Sequence, residues 1–226
     1  SSYHEGDAMA STAAQRHQHL PGLGRPWLTP LYDLASWVFG VGALHQRVLD
    51  DARIGPGDRV LEIGCGTGNL ALRAARLQPR AAVTGLDPDP AALAIARRKA
   101  RRRRVSATFD QGVAEDLPYA DGAFDVVLSS LMLHHIDAES RLQVLREARR
   151  VLVPGGQLVL ADISGPPAEP RGLLARLHPG PRARDGLGED LPALLGDAGF
   201  VQQAPVRHTT PRMGLPIAVH RAVATS

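Results

Sequence analysis

The residues best suited to chemistry lie between 59 and 72, in Arg-Val-Leu-Glu-Ile-Gly-Cys-Gly-Thr-Gly-Asn-Leu-Ala-Leu. Val60, Leu61 and Ile63 suit a short buried strand, and Glu62 stands where that strand meets Gly64, Gly66 and Gly68. Leu70, Leu72, Ala75 and Leu77 then begin a helical spacing. Glycines let a backbone turn sharply and approach a ligand closely, and the unpaired N–H groups of a helix's first turn supply donors. A strand, a glycine turn and a helix N-terminus together can hold the polar part of a nucleotide-like cofactor. The spacing is E-x-G-x-G-x-G, whereas a dinucleotide fingerprint, G-x-G-x-x-G, would need a glycine in place of Asn69.

Further chemistry-bearing residues fall just after apolar runs, where an open α/β sheet binds its ligands. Asp87 follows Ala82-Val83-Thr84-Gly85-Leu86, 23 residues after Gly64. A carboxylate there can accept from both hydroxyls of a ribose, or it can simply be an acid opening the next helix. Asp116, with Glu115 beside it, sits in Ala-Glu-Asp-Leu-Pro, and Ser129 and Ser130 end Phe-Asp-Val-Val-Leu-Ser-Ser. His134 and His135 follow, and imidazole is suited to proton transfer near neutral pH. Asp162, after the run 157–161, is a third candidate for that work. The competing role for the histidines is packing beneath a site. Cys65 has no base paired with it in sequence and is read as a small filler touching the cofactor.

The elements that must position these residues alternate. Helices are expected at 28–40 and 42–53, stopped by Gly55-Pro56-Gly57-Asp58. Strands are expected at 59–64, 82–86, 105–109, 124–130 and 157–161, with two more near 201–208 and 216–224. Between them fall helices from Asp89 to about 100, with Asp89 as cap and Pro90 in the first turn, then at 138–152 and 189–198. Val153-Pro154-Gly155-Gly156 forms a turn before the fifth strand. This alternation predicts a doubly wound, mostly parallel α/β sheet.

The segments Glu62-Ile63-Gly64-Cys65-Gly66-Thr67-Gly68, Gly85-Leu86-Asp87, Ala114-Glu115-Asp116-Leu117-Pro118, Phe124-Asp125-Val126-Val127 and Leu152-Val153-Pro154-Gly155-Gly156 stand in an order and spacing that resembles the class I S-adenosylmethionine-dependent methyltransferases. From about residue 56 to 162 the chain is similar to the group that includes quinone-biosynthesis and many natural-product methyltransferases. The resemblance implies a seven-stranded Rossmann-like sheet and S-adenosylmethionine as cofactor, with S-adenosylhomocysteine as product. It also implies that Glu62, Gly64, Cys65, Gly66, Asn69 and Asp87 face the cofactor. Glu115 or Asp116 would meet the adenine amino group, Leu117 with Leu86 or Pro88 the ring, and the backbone at Ser129 and Ser130 the methionine ammonium. Tyr32 resembles part of a lid over the cofactor. His134 resembles or neighbours the base that natural-product O-methyltransferases use. The Asn/Asp-Pro-Pro-aromatic motif of nucleic-acid amino-methyltransferases is replaced here by Ser129-Ser130-Leu131-Met132.

The organisation expected is a flexible segment 1–24 whose first nine residues are set aside from the fold, a helical lid 25–55, and a methyltransferase domain 56–226. The function expected is transfer of a methyl group to an O, N or C atom of a small-molecule acceptor. Alternatives are methylation of an isoprenoid quinone or membrane lipid, a non-methylating S-adenosylmethionine-binding protein and, more remotely, an NAD dehydrogenase.

Composition narrows the partners. The formal charge of +3 with a pI near 9.6 reflects arginine rather than a nucleic-acid partner. The dense cationic run 97–104 is expected as a solvated helix end that compensates the dipole, although it could touch phosphate. Cys65 is the single cysteine, so no disulfide and no multi-cysteine metal site are expected, and the reducing cytoplasm is the expected location. No membrane-spanning run is read, and peripheral membrane contact is left open along with oligomeric state.

Overall fold

The computed structural model describes residues 41–164, 191–210 and 216–225. Helix α1 (Val41–Ala52) precedes β1 (Arg59–Ile63), α2 (Asn69–Leu77), β2 (Ala82–Asp87), α3 (Pro90–Arg103) and β3 (Thr108–Gln111). Then come β4 (Phe124–Ser130), a 3₁₀ turn (Leu133–His135), α4 (Arg141–Val151), β5 (Leu152–Ile163), α5 (Leu191–Asp197), β6 (Phe200–Gln202), β7 (Arg207–Thr209) and β8 (Ile217–Ala224). The expected flexible segment 1–24, the helix 28–40, Tyr32, residues 25–40 of the lid 25–55 and most of the connection 164–188 lie outside the described residues.

The strands form one sheet in the order β3-β2-β1-β4-β5-β8-β6, with β7 also paired to β8. From β3 to β5 all neighbours are parallel, and β8 runs antiparallel to β5. The order reverses between β1 and β4, which opens a crevice at their carboxyl ends. Glu62 and Gly64 lie on one side of that crevice and Ser129 and Ser130 on the other, since Ile63 pairs with Ser129.

Both faces of the sheet are covered. Val60, Val126, Leu128, Val159 and Val219 pack with Leu44, Val48, Leu70, Ala74 and Leu93 of α1, α2 and α3. Leu61, Ile63, Val127, Leu158 and Leu160 pack with Val144, Leu145 and Leu195 of α4 and α5. Burial on both faces explains why the parallel strands read as continuous apolar runs.

Three boundaries differ from expectation for identifiable reasons. The third strand starts at Thr108 rather than 105, because α3 runs to Arg103 and ends on a left-handed Arg104 (φ 53), so the chain needs three more residues to rejoin the sheet. The fifth strand begins at Leu152, and the Pro-Gly-Gly segment is a bulge within it, with Phe124 opposite Leu152 and Val126 already opposite Gln157. The final edge strand is split in two. Phe200 to Gln202 and Arg207 to Thr209 both pair with β8, and the four residues between them pass only His220 and Arg221. Pro205 cannot donate a ladder bond there, so eight strands occupy seven positions in the sheet.

Candidate active site

The glycine turn after β1 is held at its start by the backbone of β2. Gly64 N and Cys65 N both donate to Leu86 O, at 2.9 and 3.0 Å. Gly64, Gly66 and Gly68 all have positive φ, which a side chain would strain. The three glycines nevertheless answer to different neighbours. A Cβ on Gly64 would lie 2.3 Å from Met132 Cγ, and one on Gly68 would meet Phe109 and Ala96 within 2.9 Å. At Gly66 nothing lies within 4 Å of the Cβ position. Gly66 therefore leaves open space beside the turn, whereas Gly64 and Gly68 admit protein side chains.

Glu62 is 3% exposed, and its Oε2 accepts from Ala71 N in the first turn of α2 at 2.7 Å. Burial pushes its carboxyl up to about 8, opposed by that hydrogen bond. One of its oxygens thus fastens the helix to the strand. Cys65 packs its Sγ against Gly85 of β2, and burial raises its thiol further out of reach of ionisation, as do the Glu62 and Asp87 carboxylates. A thiol in that state is no nucleophile. Asn69 directs its Oδ1 to Lys99 Nζ at 2.9 Å, and the same ammonium donates to Thr67 Oγ1 (2.9 Å) and Thr67 O (3.2 Å). Lys99, the chain's single lysine, reaches from α3 to tie the far side of the turn.

Asp87 faces the same turn from β2. Its Oδ2 accepts from Gly66 N at 2.7 Å and its Oδ1 from Asp89 N at 3.0 Å, leaving a lone pair on each oxygen for a ligand. Burial pushes this carboxyl above the ordinary range, opposed by the two hydrogen bonds. Asp89 caps α3 by accepting from Ala91 N, so Asp87 is not that helix's cap. Pro88 follows directly, and its carbonyl accepts from Gln111 Nε2.

The loop with Glu115, Asp116 and Leu117 is gripped by α4. Glu147 Oε2 accepts from Leu117 N at 2.8 Å, and Arg150 pairs with Glu147 while donating to Leu117 O, Tyr119 O and Asp121 Oδ1. The Arg150 hydrogen bond holds the Glu147 carboxyl below the usual range. Leu117 is buried beside Leu86 in one cluster, and Glu115 Oε2 is buried without a hydrogen-bond partner.

The crevice's other wall carries the imidazoles. Ser129 Oγ and Ser130 Oγ are buried and unpartnered. Leu131 adopts a left-handed backbone (φ 56), which costs about 1 kcal/mol for a side-chain-bearing residue. That twist turns the chain out of β4 and lays Met132 over Gly64. The 3₁₀ turn then brings His134 Nδ1 to 2.6 Å from Asp162 Oδ1. Asp162 is buried, and its Oδ2 also accepts from Leu133 N and His134 N, fixing the turn to β5. His135 lies tilted against His134 with ring centroids 4.0 Å apart, and burial together with that neighbour lowers its pKa. The candidates from two strand ends thus meet in a pair, with His135 beside rather than in it.

Comparison with known proteins agrees with this architecture. A family model described as a methyltransferase domain matches residues 60–156. An uncharacterized methyltransferase of Synechocystis sp. is 35% identical over 181 residues, covering 77% of this chain and 82% of that protein. The chain belongs to the class I S-adenosylmethionine-dependent methyltransferases. A demethylmenaquinone methyltransferase of Thermus thermophilus is 38% identical over 155 residues, 67% of this chain and 69% of its own length. The crystal structure of an S-adenosylmethionine-dependent methyltransferase from Methanosarcina mazei superposes with a TM-score of 0.63 at 26% identity, covering 76% of this chain and 94% of that one. The methyltransferase fold places its glycine turn and its His–Asp pair on opposite walls of the crevice between β1 and β4. The sequence pattern could suggest each of these, but not the Glu147–Arg150 grip or the Lys99 tie. No helix among the described residues is long and apolar enough to cross a membrane.

Proposed function

We propose that this methyltransferase methylates a small molecule whose acceptor group must lose a proton, with His134 as the base and Asp162 as the group that orients it. The observation that carries the proposal is the 2.6 Å contact between His134 Nδ1 and a buried Asp162 carboxylate. Asp162 accepts two backbone N–H groups on Oδ2 and one from Ile163 on Oδ1, so it stands as an acceptor and draws the imidazole proton to Nδ1. That tautomer leaves the Nε2 lone pair for an acceptor hydroxyl. His134, with its side chain 22% exposed, is reachable, whereas Asp162 is not.

The residues present fit S-adenosylmethionine. Asp87 offers a lone pair on each oxygen to a ribose, Gly66 leaves open space beside it, and Glu115, Ser129 and Ser130 hold buried polar atoms in need of partners. Asp116 is the alternative to Glu115 for the adenine amino group, with Leu117 and Pro88 against the ring. When bound, the cofactor supplies an electrophilic methyl carbon on a sulfonium. The chain's own contribution is to align the acceptor, exclude water and take up the proton.

A hydroquinone is a specific acceptor compatible with this reading, and the Thermus relative's name favours it. Ionising its hydroxyl makes the ring carbon beside it nucleophilic, so the same base serves C-methylation and O-methylation. The test is to incubate the protein with S-adenosylmethionine and a panel of phenols and hydroquinones, and to measure S-adenosylhomocysteine and methylated product by mass spectrometry. Transfer should occur with the parent and fall away in His134→Ala while cofactor binding persists. Transfer independent of His134 overturns the assignment of the base.

A further inference from the structure

Helix α3 ends away from the carboxyl ends of the parallel strands. It leaves the carboxyl end of β2 and returns to the start of β3, so its last turn lies at the opposite edge of the parallel sheet. Arg97, Arg98 and Arg101 to Arg104 all stand exposed on its closing turns. With Lys99 these residues carry more positive charge than the chain's net +3, so the remainder of the chain is net acidic. The helix's own negative end is worth about half an elementary charge, well short of this cluster. Among the described residues, Arg98 and Arg101 to Arg104 have no ion-pair partner.

Three of these residues border a concavity. Arg97, Arg101, Arg104 and Ser106, with Ala100 and Ala107 as its apolar floor, line an open basin of about 400 Å³. Arg97 is braced by donating to Phe109 O. Arg104 occupies a left-handed cap position that glycine would fill with less strain. Arginines bordering one hollow, with a serine beside them, suit the oxygens of phosphate groups, which guanidiniums can bind in bidentate fashion. No aromatic residue interleaves the arginines, so a single-stranded nucleic acid would find no stacking surface.

We infer that this basin is a binding site for a phosphate-bearing polyanion, separate from the catalytic crevice. The phosphates come either from an anionic bilayer surface or from a soluble polyphosphorylated molecule. In the bilayer case the catalytic crevice faces away from the headgroups.

Two probes distinguish the sources. Tripolyphosphate is titrated calorimetrically into the full chain, and sedimentation is measured with vesicles of phosphatidylcholine alone or with about one third phosphatidylglycerol. The variant is Arg101→Gln combined with Arg104→Gly, whose glycine relieves the cap strain, so the fold is retained. Arg76→Gln with Arg80→Gln removes equal charge elsewhere. The parent should bind one or both probes at low salt and lose binding as salt shortens the screening length. The basin variant should bind about tenfold more weakly or worse, as expected for losing charge-assisted contacts, while the control retains parental affinity. Binding confined to tripolyphosphate assigns a soluble ligand, and binding to the anionic vesicles assigns a bilayer. Absence of binding to both probes, or equal weakening in the two variants, overturns the site.

Discussion

His134 Nδ1 and Asp162 Oδ1 stand 2.6 Å apart, and the Asp162 side chain is only 1% exposed. The imidazole cannot rotate without abandoning a carboxylate that has no water to turn to. Two strand ends, β4 and β5, are thereby locked to one orientation of one ring. Replacing Asp162 with Asn removes the charge that selects the tautomer. We expect kcat to drop about 10²-fold or more with a small change in the acceptor's KM, and His134→Ala to fall in a similar range. Steady-state kinetics at saturating cofactor would check this. An unchanged kcat in both variants contradicts a base at this position.

Asp87 Oδ2 accepts from Gly66 N at 2.7 Å and so shapes the turn, and in the proposed reading its remaining lone pairs take the ribose. Asp87→Ala should weaken S-adenosylhomocysteine binding about ten- to a hundredfold, the range for losing hydrogen bonds to a charged group. Calorimetry on parent and variant reads this directly. Retained affinity would remove Asp87 from the cofactor site.

Arg150 connects α4 to the loop that carries Leu117 and Tyr119 through two carbonyls, while Glu147 takes Leu117 N. Arg150→Met should destabilise the fold by about 1–3 kcal/mol, because backbone carbonyls and a carboxylate lose their donor together. Urea denaturation measures the loss, and cofactor affinity should fall with it. A stable variant with loosened cofactor binding would instead mean that the grip positions the loop without supporting the fold.

Glu62 gives a pH signature. Its pKa rises from 4.5 to about 8 on folding through burial. Between those values the folded chain holds a proton that the unfolded chain releases, so stability falls as pH rises through this window. Glu62→Gln abolishes that contribution. The difference in midpoint between variant and parent should therefore shift in the variant's favour from pH 5 to pH 8 and level off above. Denaturation curves at several pH values test it, and a constant difference would show that Glu62 does not titrate in that range.

The sequence made the catalytic face legible because its determinants are local. Glu62 to Gly68 shows its strand, turn and helix start within a few residues, and Asp89-Pro90 announces the start of α3 through cap and first turn. The apolar runs place Asp87, Ser130 and Asp162 at strand ends, and parallel pairing brings those ends to one edge. What stayed illegible depends on distance along the chain. Glu147 meets Leu117 thirty residues away, and Lys99 meets Thr67 across thirty-two. Neither helix pattern marks these side chains out from their solvated neighbours. The place of Asn69 in the motif predicts a cofactor contact, and the bond from Lys99 to its Oδ1 is a feature the motif does not announce. Gly64 reads as a ligand cradle, and the structure adds a second need for it in Met132, which follows the left-handed Leu131.

The Lys99 tie has a practical consequence. The chain holds one lysine, and its ammonium is engaged by Thr67 and Asn69. An amine-reactive label will therefore find one side-chain target, half-buried and hydrogen-bonded, and it should react faster when the glycine turn lets go. The rate of acylation at Lys99, followed by mass spectrometry of a single peptide, is a clock for the opening of the turn.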